Sequence, residues 1–251
     1  MARLTAEEKA KFTHWNYAHR GLHTADKTVP ENSLPAFKAA AEAGYGAELD
    51  VQLSKDGQVV VFHDDTLNRV CGVDARVDAY DYNELKNMSL CGTAEGIPLF
   101  TEVLEAFGKG TGPLIVELKT GPKNDELCRK TYEILKSYPG VYCIESFDPF
   151  IVNWFKKNAP EIVRGQLATK AEDYVKDGRS KFAAKLLADC AFSVLNKPDF
   201  IAYQNIERPK AVRRQAEKGV LLFAWTSRTP DVDQKTNDGV IFELYRPDTR
   251  Y

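Results

Sequence analysis

The sequence has little that would build a disulfide framework. Its five cysteines, Cys71, Cys91, Cys128, Cys143 and Cys190, are odd in number, and no two share a C-x-x-C spacing. Reduced thiols in a cytoplasmic protein are the expectation. No apolar run approaches the roughly 20 residues of a membrane span. Met1 to Lys11 is charged and lacks the apolar stretch of a secretory leader. Charge of one sign is also missing: the formal net charge is −2. Nucleic acid or an anionic membrane held by bulk electrostatics is therefore not expected as a partner, nor is stable membrane association. Neither an internal repeat nor a low-complexity segment is visible.

What is present is ordinary in amount and ordered in pattern. A hydrophobic content of 43% and a charged content of 28% over 251 residues suit one soluble enzyme domain, of the size of a single (β/α)₈ barrel. Gly46 to Leu53 alternates, with Glu48, Asp50 and Gln52 on one face and Leu49, Val51 and Leu53 on the other, the period of a strand. Lys55-Asp56-Gly57 is a turn signal. Val59 to Phe62 is an apolar strand that ends at His63-Asp64.

Along the rest of the chain, strand and helix patterns alternate. Thr5 to Glu8 forms a capping box for a helix over Ala6 to Phe12. A strand at Trp15 to Ala18 runs into His19-Arg20-Gly21. Leu34 to Ala43 is a helix between the N-cap candidates Asn32 and Ser33 and a terminating Gly44. Residues 65–97 show no sustained period and read as a small inserted cap with helical turns near Tyr82 to Lys86. From Ile97 onward the alternation resumes. Barrel strands are predicted near residues 16, 48, 115, 143, 164, 201, 222 and 241, with the hairpin strand at Val59 as an extra. This is an α/β pattern, a (β/α)₈ TIM barrel with an insertion after the second strand and its hairpin. Ser227 to Asp238 leaves room for only a turn or two of helix.

A barrel of this kind presents its active site at the carboxyl ends of its strands. His19 and Arg20 end the first strand. Glu48 and Asp50 lie at the end of the second, with His63 on its hairpin. Glu117 and Lys119 end the third. Each alone has a plain structural explanation; their shared rim makes a site. Three carboxylates without cysteine or histidine ligands at metal spacing suit a hard divalent cation, Mg²⁺ or Ca²⁺. Arg20 and Lys119 provide charge for an anion, and two histidines can act as general acid and base. The set points to cleavage of a phosphate ester. His14 reads as a surface residue and His23 as loop packing.

The motifs His19-Arg20-Gly21, Pro30-Glu31-Asn32-Ser33, Glu48-Leu-Asp50 through Gly57, Phe62-His63-Asp64 and Glu117-Leu-Lys119 resemble the signature of the glycerophosphodiester phosphodiesterases. Ile97 to Leu104, Ser146-Phe147 and Trp225-Thr226 resemble its later landmarks, so the likeness spans nearly the whole chain. The resemblance implies a metal-dependent hydrolase that releases glycerol 3-phosphate and an alcohol from small glycerophosphodiesters. It assigns one divalent ion to Glu48, Asp50 and Glu117, with Glu31 as a further candidate ligand. It assigns acid and base to His19 and His63, and the phosphate to Arg20 and Lys119. Phe147 and Trp225 are candidates for the substrate wall, as are Gln166 and Tyr203, though strand-end aromatics often pack a barrel. A cyclic phosphate formed by a glycerol hydroxyl is an open route. Ser227-Arg228 and Glu243 depart from the family pattern and bear on alcohol specificity.

Three rivals remain. A phosphodiesterase of the same superfamily acting on lysophospholipids or phosphoinositides would need an apolar groove or an interfacial helix, and no basic amphipathic helix is visible. A barrel that only binds phosphoryl ligands would be expected to have lost a histidine or carboxylate. A sugar-active barrel would have no use for the histidine and basic pairs.

Overall fold

Apolar stretches spaced by helix-forming segments become eight parallel strands that close on themselves. The computed structural model describes residues 4–108, 112–230, 234 and 236–251. The strands are β1 (Trp15–Ala18), β2 (Gly46–Leu53), β4 (Leu114–Leu118), β5 (Tyr142–Ser146), β6 (Arg164–Ala168), β7 (Phe200–Gln204), β8 (Leu221–Ser227) and β9 (Gly239–Phe242), with β3 (Val59–Val61) between the second and third of them in chain order. The pairing order is β1-β9-β8-β7-β6-β5-β4-β2-β3, and β1 also pairs with β2, which closes the ring. β3 is antiparallel to β2 and stands outside the barrel, as the hairpin pattern implies. Among the described residues no helix is long and apolar enough to cross a membrane.

The two faces of the strands have different jobs. Leu49, Val51, Val116 and Ile144 join Phe37, Phe100, Leu127 and Phe155 of the surrounding helices in one buried layer. Tyr17, Ile115, Cys143, Phe200, Phe223 and Ile241 form the inner cluster, joined by Leu4 and Phe12 near the amino terminus. Tyr17, Phe223 and Phe200 stack in that order, with centroid separations of 5.6 and 4.7 Å. Side chains two residues apart share a strand face. The positions two beyond Tyr17, Ile115 and Cys143 are His19, Glu117 and Glu145. The same inward face that is apolar deep in the barrel thus becomes polar at its carboxyl end.

Gly165 makes the aromatic layer possible. A Cβ there would overlap the Phe200 ring. Gly165→Ala is expected to cost about 1–3 kcal/mol through overpacking, read as a lower denaturant midpoint at unchanged slope.

Residues 65–97 hold three short helical turns, Asn68–Cys71, Val77–Ala79 and Tyr82–Leu85. Leu67, Val70, Val77, Leu85, Leu90 and Ile97 pack with Val60 and Phe62 in a cluster of their own. Elsewhere the expected helices form with trimmed ends. The first is Ala6–Ala10, with Thr5 and Glu8 completing the capping box. Ser33 caps Leu34–Glu42, and Ser180 caps Lys181–Ala188. Helices Ala171–Lys176 and Ser193–Asn196 are additions to the sequence reading; both are too short to show a period. The final crossover lies partly outside the described residues.

Candidate active site

Strand register brings the carboxylates together. Asp50 on β2 is the direct partner of Glu117 on β4, and Glu117 that of Glu145 on β5. Glu48 and Asp50 are two apart on β2. All four are buried. The ligand oxygens of Glu48, Asp50 and Glu117 lie within 4.8 Å of one another, a spacing that oxygen–metal distances of about 2.0 to 2.6 Å can span.

Their electrostatics show a deficit of positive charge. Burial, together with Asp50 and Glu117, pushes the Glu48 carboxyl well above its ordinary range. Burial raises Glu117 as well, against the pull of Lys119. Glu145 is raised by burial and by Glu117 and Asp50. Asp50 behaves oppositely: burial would raise it, but His63, Lys119 and Arg20 hold it well below the carboxylate range. Asp50 Oδ1 and Glu145 Oε2 are buried without a hydrogen-bond partner among the described residues. Lys119 Nζ stands 3.3 Å from Asp50 Oδ1 and 2.8 Å from Glu117 Oε1. An all-oxygen donor set with carboxylates forced toward protonation by one another fits a hard divalent cation.

His19 and His63 are each held by a carboxylate. His19 Nδ1 lies 2.7 Å from Glu243 Oε2 just beyond β9, and its Nε2 lies 4.0 Å from Glu48 Oε2. Burial lowers the His19 pKa to about 4, opposed in part by the bond to Glu243. His23 Nε2 approaches the same Glu243 oxygen at 3.6 Å, so it stands behind Glu243, and it does not border the cavity. His14 is exposed, edge-on to Tyr251. His63 Nδ1 lies 2.6 Å from Asp64 Oδ1. The end of that hairpin is fixed by Gln52, whose Nε2 donates to the carbonyls of Phe62 and Asp64.

The loop after β1 is held by turn geometry and charge. Gly21 has φ 76°, and a Cβ there would strike Ala36. The Arg20 amide donates to Glu48 Oε2, and its Nη1 donates to Glu31 Oε1 at 2.7 Å. Asn32 Nδ2 donates to Asp50 Oδ2 at 2.8 Å. Glu31 lies outside the acidic trio. Two arginines grip it: Arg69 donates from Nη1 and Nη2 to its two oxygens at 2.8 and 2.7 Å. Burial would raise Glu31, but Arg69 and Arg20 bring it down to about 2. Arg69 also donates from Nε and Nη2 to Asp64. A continuous path therefore runs Arg20, Glu31, Arg69, Asp64, His63, and Arg69 comes from the inserted segment.

The cavity between these groups is about 130 Å³ and is bordered by His19, Arg20, His63, Glu117, Phe147 and Trp225. Gln166 and Tyr203 do not border it. Gln166 Nε2 donates to the carbonyls of Ser146 and Phe147, and the Tyr203 hydroxyl to that of Thr169. Glu145, Asp64 and Arg69 have no site role in the sequence reading, and Glu243 enters it only as a departure bearing on alcohol specificity, whereas the structure sets it against His19 Nδ1. A signal for Glu145 exists: it alternates with Cys143 on an otherwise buried strand.

The model of the glycerophosphoryl diester phosphodiesterase family matches residues 19–242, the span that carries the acidic trio, both catalytic candidates His19 and His63, Arg20 and Lys119. The chain belongs to that family. A glycerophosphodiester phosphodiesterase of Caldanaerobacter subterraneus subsp. tengcongensis is 31% identical over 238 residues, 89% of this chain and 90% of that protein. The crystal structure of a glycerophosphodiester phosphodiesterase from Thermotoga maritima superposes with a TM-score of 0.68 at 28% identity, covering 90% of this chain and 92% of that one. A phosphodiesterase of Oleispira antarctica, solved with the product sn-glycerol-3-phosphate, shares the fold at a TM-score of 0.75 and 24% identity, over 93% of this chain and 94% of that one. In this phosphodiesterase the family match and the barrel coincide.

Proposed function

We propose that the enzyme hydrolyses small glycerophosphodiesters, such as glycerophosphocholine or glycerophosphoethanolamine, to glycerol 3-phosphate and an alcohol. The single observation that carries this is the convergence of His19, His63, Glu48 and Glu117 around one cavity, with Asp50 beside the two glutamates in a buried acidic trio. The product bound to the Oleispira relative agrees with it. A divalent ion, Mg²⁺ or Ca²⁺, held by the trio would offset charge on the phosphoryl oxygens.

The remaining work falls to the chain's own side chains. Arg20 and Lys119, the cations nearest the trio, bind and orient the phosphodiester. With Nδ1–H donated to Glu243, a neutral His19 keeps a free Nε2 lone pair toward the cavity. Its lowered pKa favours that neutral form, so His19 takes the proton from the attacking hydroxyl. His63, held by Asp64, gives a proton to the leaving alcohol oxygen as its bond to phosphorus breaks. Phe147 and Trp225 exclude water from one side. Residues 65–97 act as a cap within one barrel domain of residues 1–251, and Arg69 carries its influence to His63.

Arg69→Ala tests that last link. Misplaced catalytic groups cost up to about 10²-fold, and a fall of that order in kcat is expected with little change in thermal stability. Unchanged kcat would remove Arg69 from the positioning of His63. For the reaction itself, ³¹P NMR of glycerophosphocholine turnover should show glycerol 3-phosphate and no phosphocholine. Phosphocholine as product would place cleavage on the other ester bond and overturn the assignment.

A further inference from the structure

The Nδ1 side of His19 faces a second cluster, outside the catalytic cavity. His19 Nδ1 lies 2.7 Å from Glu243 Oε2, and His23 Nε2 lies 3.6 Å from the same oxygen. The three ligand atoms fall within 4.8 Å of one another. Neither His23 nor Glu243 borders the cavity, whereas Glu48, on the Nε2 side of His19, does. The His23 side chain is only 12% exposed. Its Nε2 is buried with no hydrogen-bond partner among the described residues, and a buried polar atom left so calls for a reason. At 3.6 Å the Glu243 oxygen is beyond a good hydrogen bond, yet well placed to share one ion with that nitrogen.

Two ring nitrogens and one carboxylate oxygen are a different donor set from the acidic trio. Tetrahedral zinc holds such atoms at about 2.0 to 2.2 Å, which sets its ligands roughly 3.4 Å apart. The separations of 2.7 and 3.6 Å bracket that spacing. Imidazole nitrogen suits zinc, whereas Mg²⁺ and Ca²⁺ prefer oxygen. The neighbouring charges leave room for a cation. Arg228 Nε takes Glu243 Oε1, so Oε2 is left to the two rings. The Arg228 side chain is 65% exposed, and water and salt screen its charge. The Arg20 guanidinium is turned to Glu31 and Asp50.

We propose that His19 Nδ1, His23 Nε2 and Glu243 form an inhibitory site for Zn²⁺, separate from the all-oxygen trio. The inhibitory role rests on the reading of His19 as general base in the hydrolase. A neutral imidazole carries one proton. In the metal-free cluster that proton sits on Nδ1, donated to Glu243, and the Nε2 lone pair faces the cavity. Zinc on Nδ1 takes the proton's place, and the ring's one proton then resides on Nε2. The lone pair that would accept the proton of the attacking hydroxyl is lost. Glu243 thus sets the catalytic tautomer when it accepts from His19, and holds the opposite one when it ligates zinc.

Two measurements on the whole enzyme in saturating Mg²⁺ test this. Calorimetric titration with Zn²⁺ should show one further ion per chain. His23→Asn should weaken that binding at least about tenfold, as losses around metal sites do, and Glu117→Gln should leave it unchanged. Zinc should also lower kcat for glycerophosphocholine by at least about 10², the scale of a lost general base, with KM unchanged and with no relief by added Mg²⁺. In Mg²⁺ alone His23→Asn should match the parent, which reports a sound fold, and it should resist zinc. His23→Cys, which restores a zinc ligand, should recover the sensitivity. Zinc binding weakened by Glu117→Gln and not by His23→Asn would put the ion on the trio and overturn the proposal. No further ion in the parent, or one bound without loss of turnover, overturns it as well. An enzyme inactive in Mg²⁺ alone would overturn the hydrolase reading and with it the inhibitory role, while the calorimetry still decides the ion site.

Discussion

Alanine at either His19 or His63, the proposed base and acid, is expected to lower turnover of glycerophosphocholine by about 10² to 10⁴, the usual contribution of a general acid or base. The two losses should differ in kind. Choline is a poor leaving group and needs a proton on its oxygen, whereas p-nitrophenolate leaves without one. If His63 is the acid, His63→Ala should retain most of its activity on a p-nitrophenyl phosphodiester. His19→Ala should stay slow on both substrates, because an attacking hydroxyl must lose its proton whatever group departs. Glu243 donates no proton in this scheme; its bond of 2.7 Å to His19 Nδ1 sets the tautomer. The folds of both variants should survive, since each ring contacts the cavity and neither belongs to the apolar clusters. A reversed pattern of rescue would exchange the two roles, and near-normal turnover in either variant would remove that residue from the chemistry.

The second large effect concerns the acidic trio. Glu117→Gln keeps shape and removes one negative charge, and it should weaken divalent-ion affinity by at least about tenfold, as losses around metal sites do. Calorimetric titration with Mg²⁺ and Ca²⁺ measures this directly. Without metal the same variant should be no less stable than the parent, since Glu117 is a carboxylate that burial drives toward protonation. Asp50→Asn is different. Asp50 is held ionised by His63, Lys119 and Arg20, so its loss leaves buried cations uncompensated. A destabilisation of about 3–5 kcal/mol is the scale for breaking such a set. Equal metal affinity in parent and Glu117→Gln would take Glu117 out of the ligand set.

The barrel was legible because its inner and outer faces are written at period 2 in strands such as Gly46–Leu53, and because helices with clear caps separate them. The core of the site was legible for a related reason. His19 and Glu117 sit at strand ends and His63 just beyond the hairpin strand, where topology alone brings them to one rim; Glu48 and Asp50, expected at the end of the second strand, lie within β2, which runs on to Leu53 to pair with β3. What could not be read were partners set by three-dimensional closure. Glu243 meets His19 across 224 residues, through the β1–β9 pairing that closes the ring. Arg69 comes from a segment with no periodic pattern, and its bonds to Glu31 and Asp64 depend on how the insertion folds back. Glu145 looks like one more residue of a buried strand until its register beside Glu117 is known.

The central claim is that one divalent ion on Glu48, Asp50 and Glu117 works with the two histidines on a glycerophosphodiester. Release of glycerol 3-phosphate from glycerophosphocholine, followed after EDTA treatment and again after restoring Mg²⁺ or Ca²⁺, tests it most directly. Activity should vanish with the chelator and return with at least one of the two ions, and Glu117→Gln should need a higher ion concentration for recovery. Full activity in EDTA, or none with any divalent ion in a well-folded sample, would contradict it.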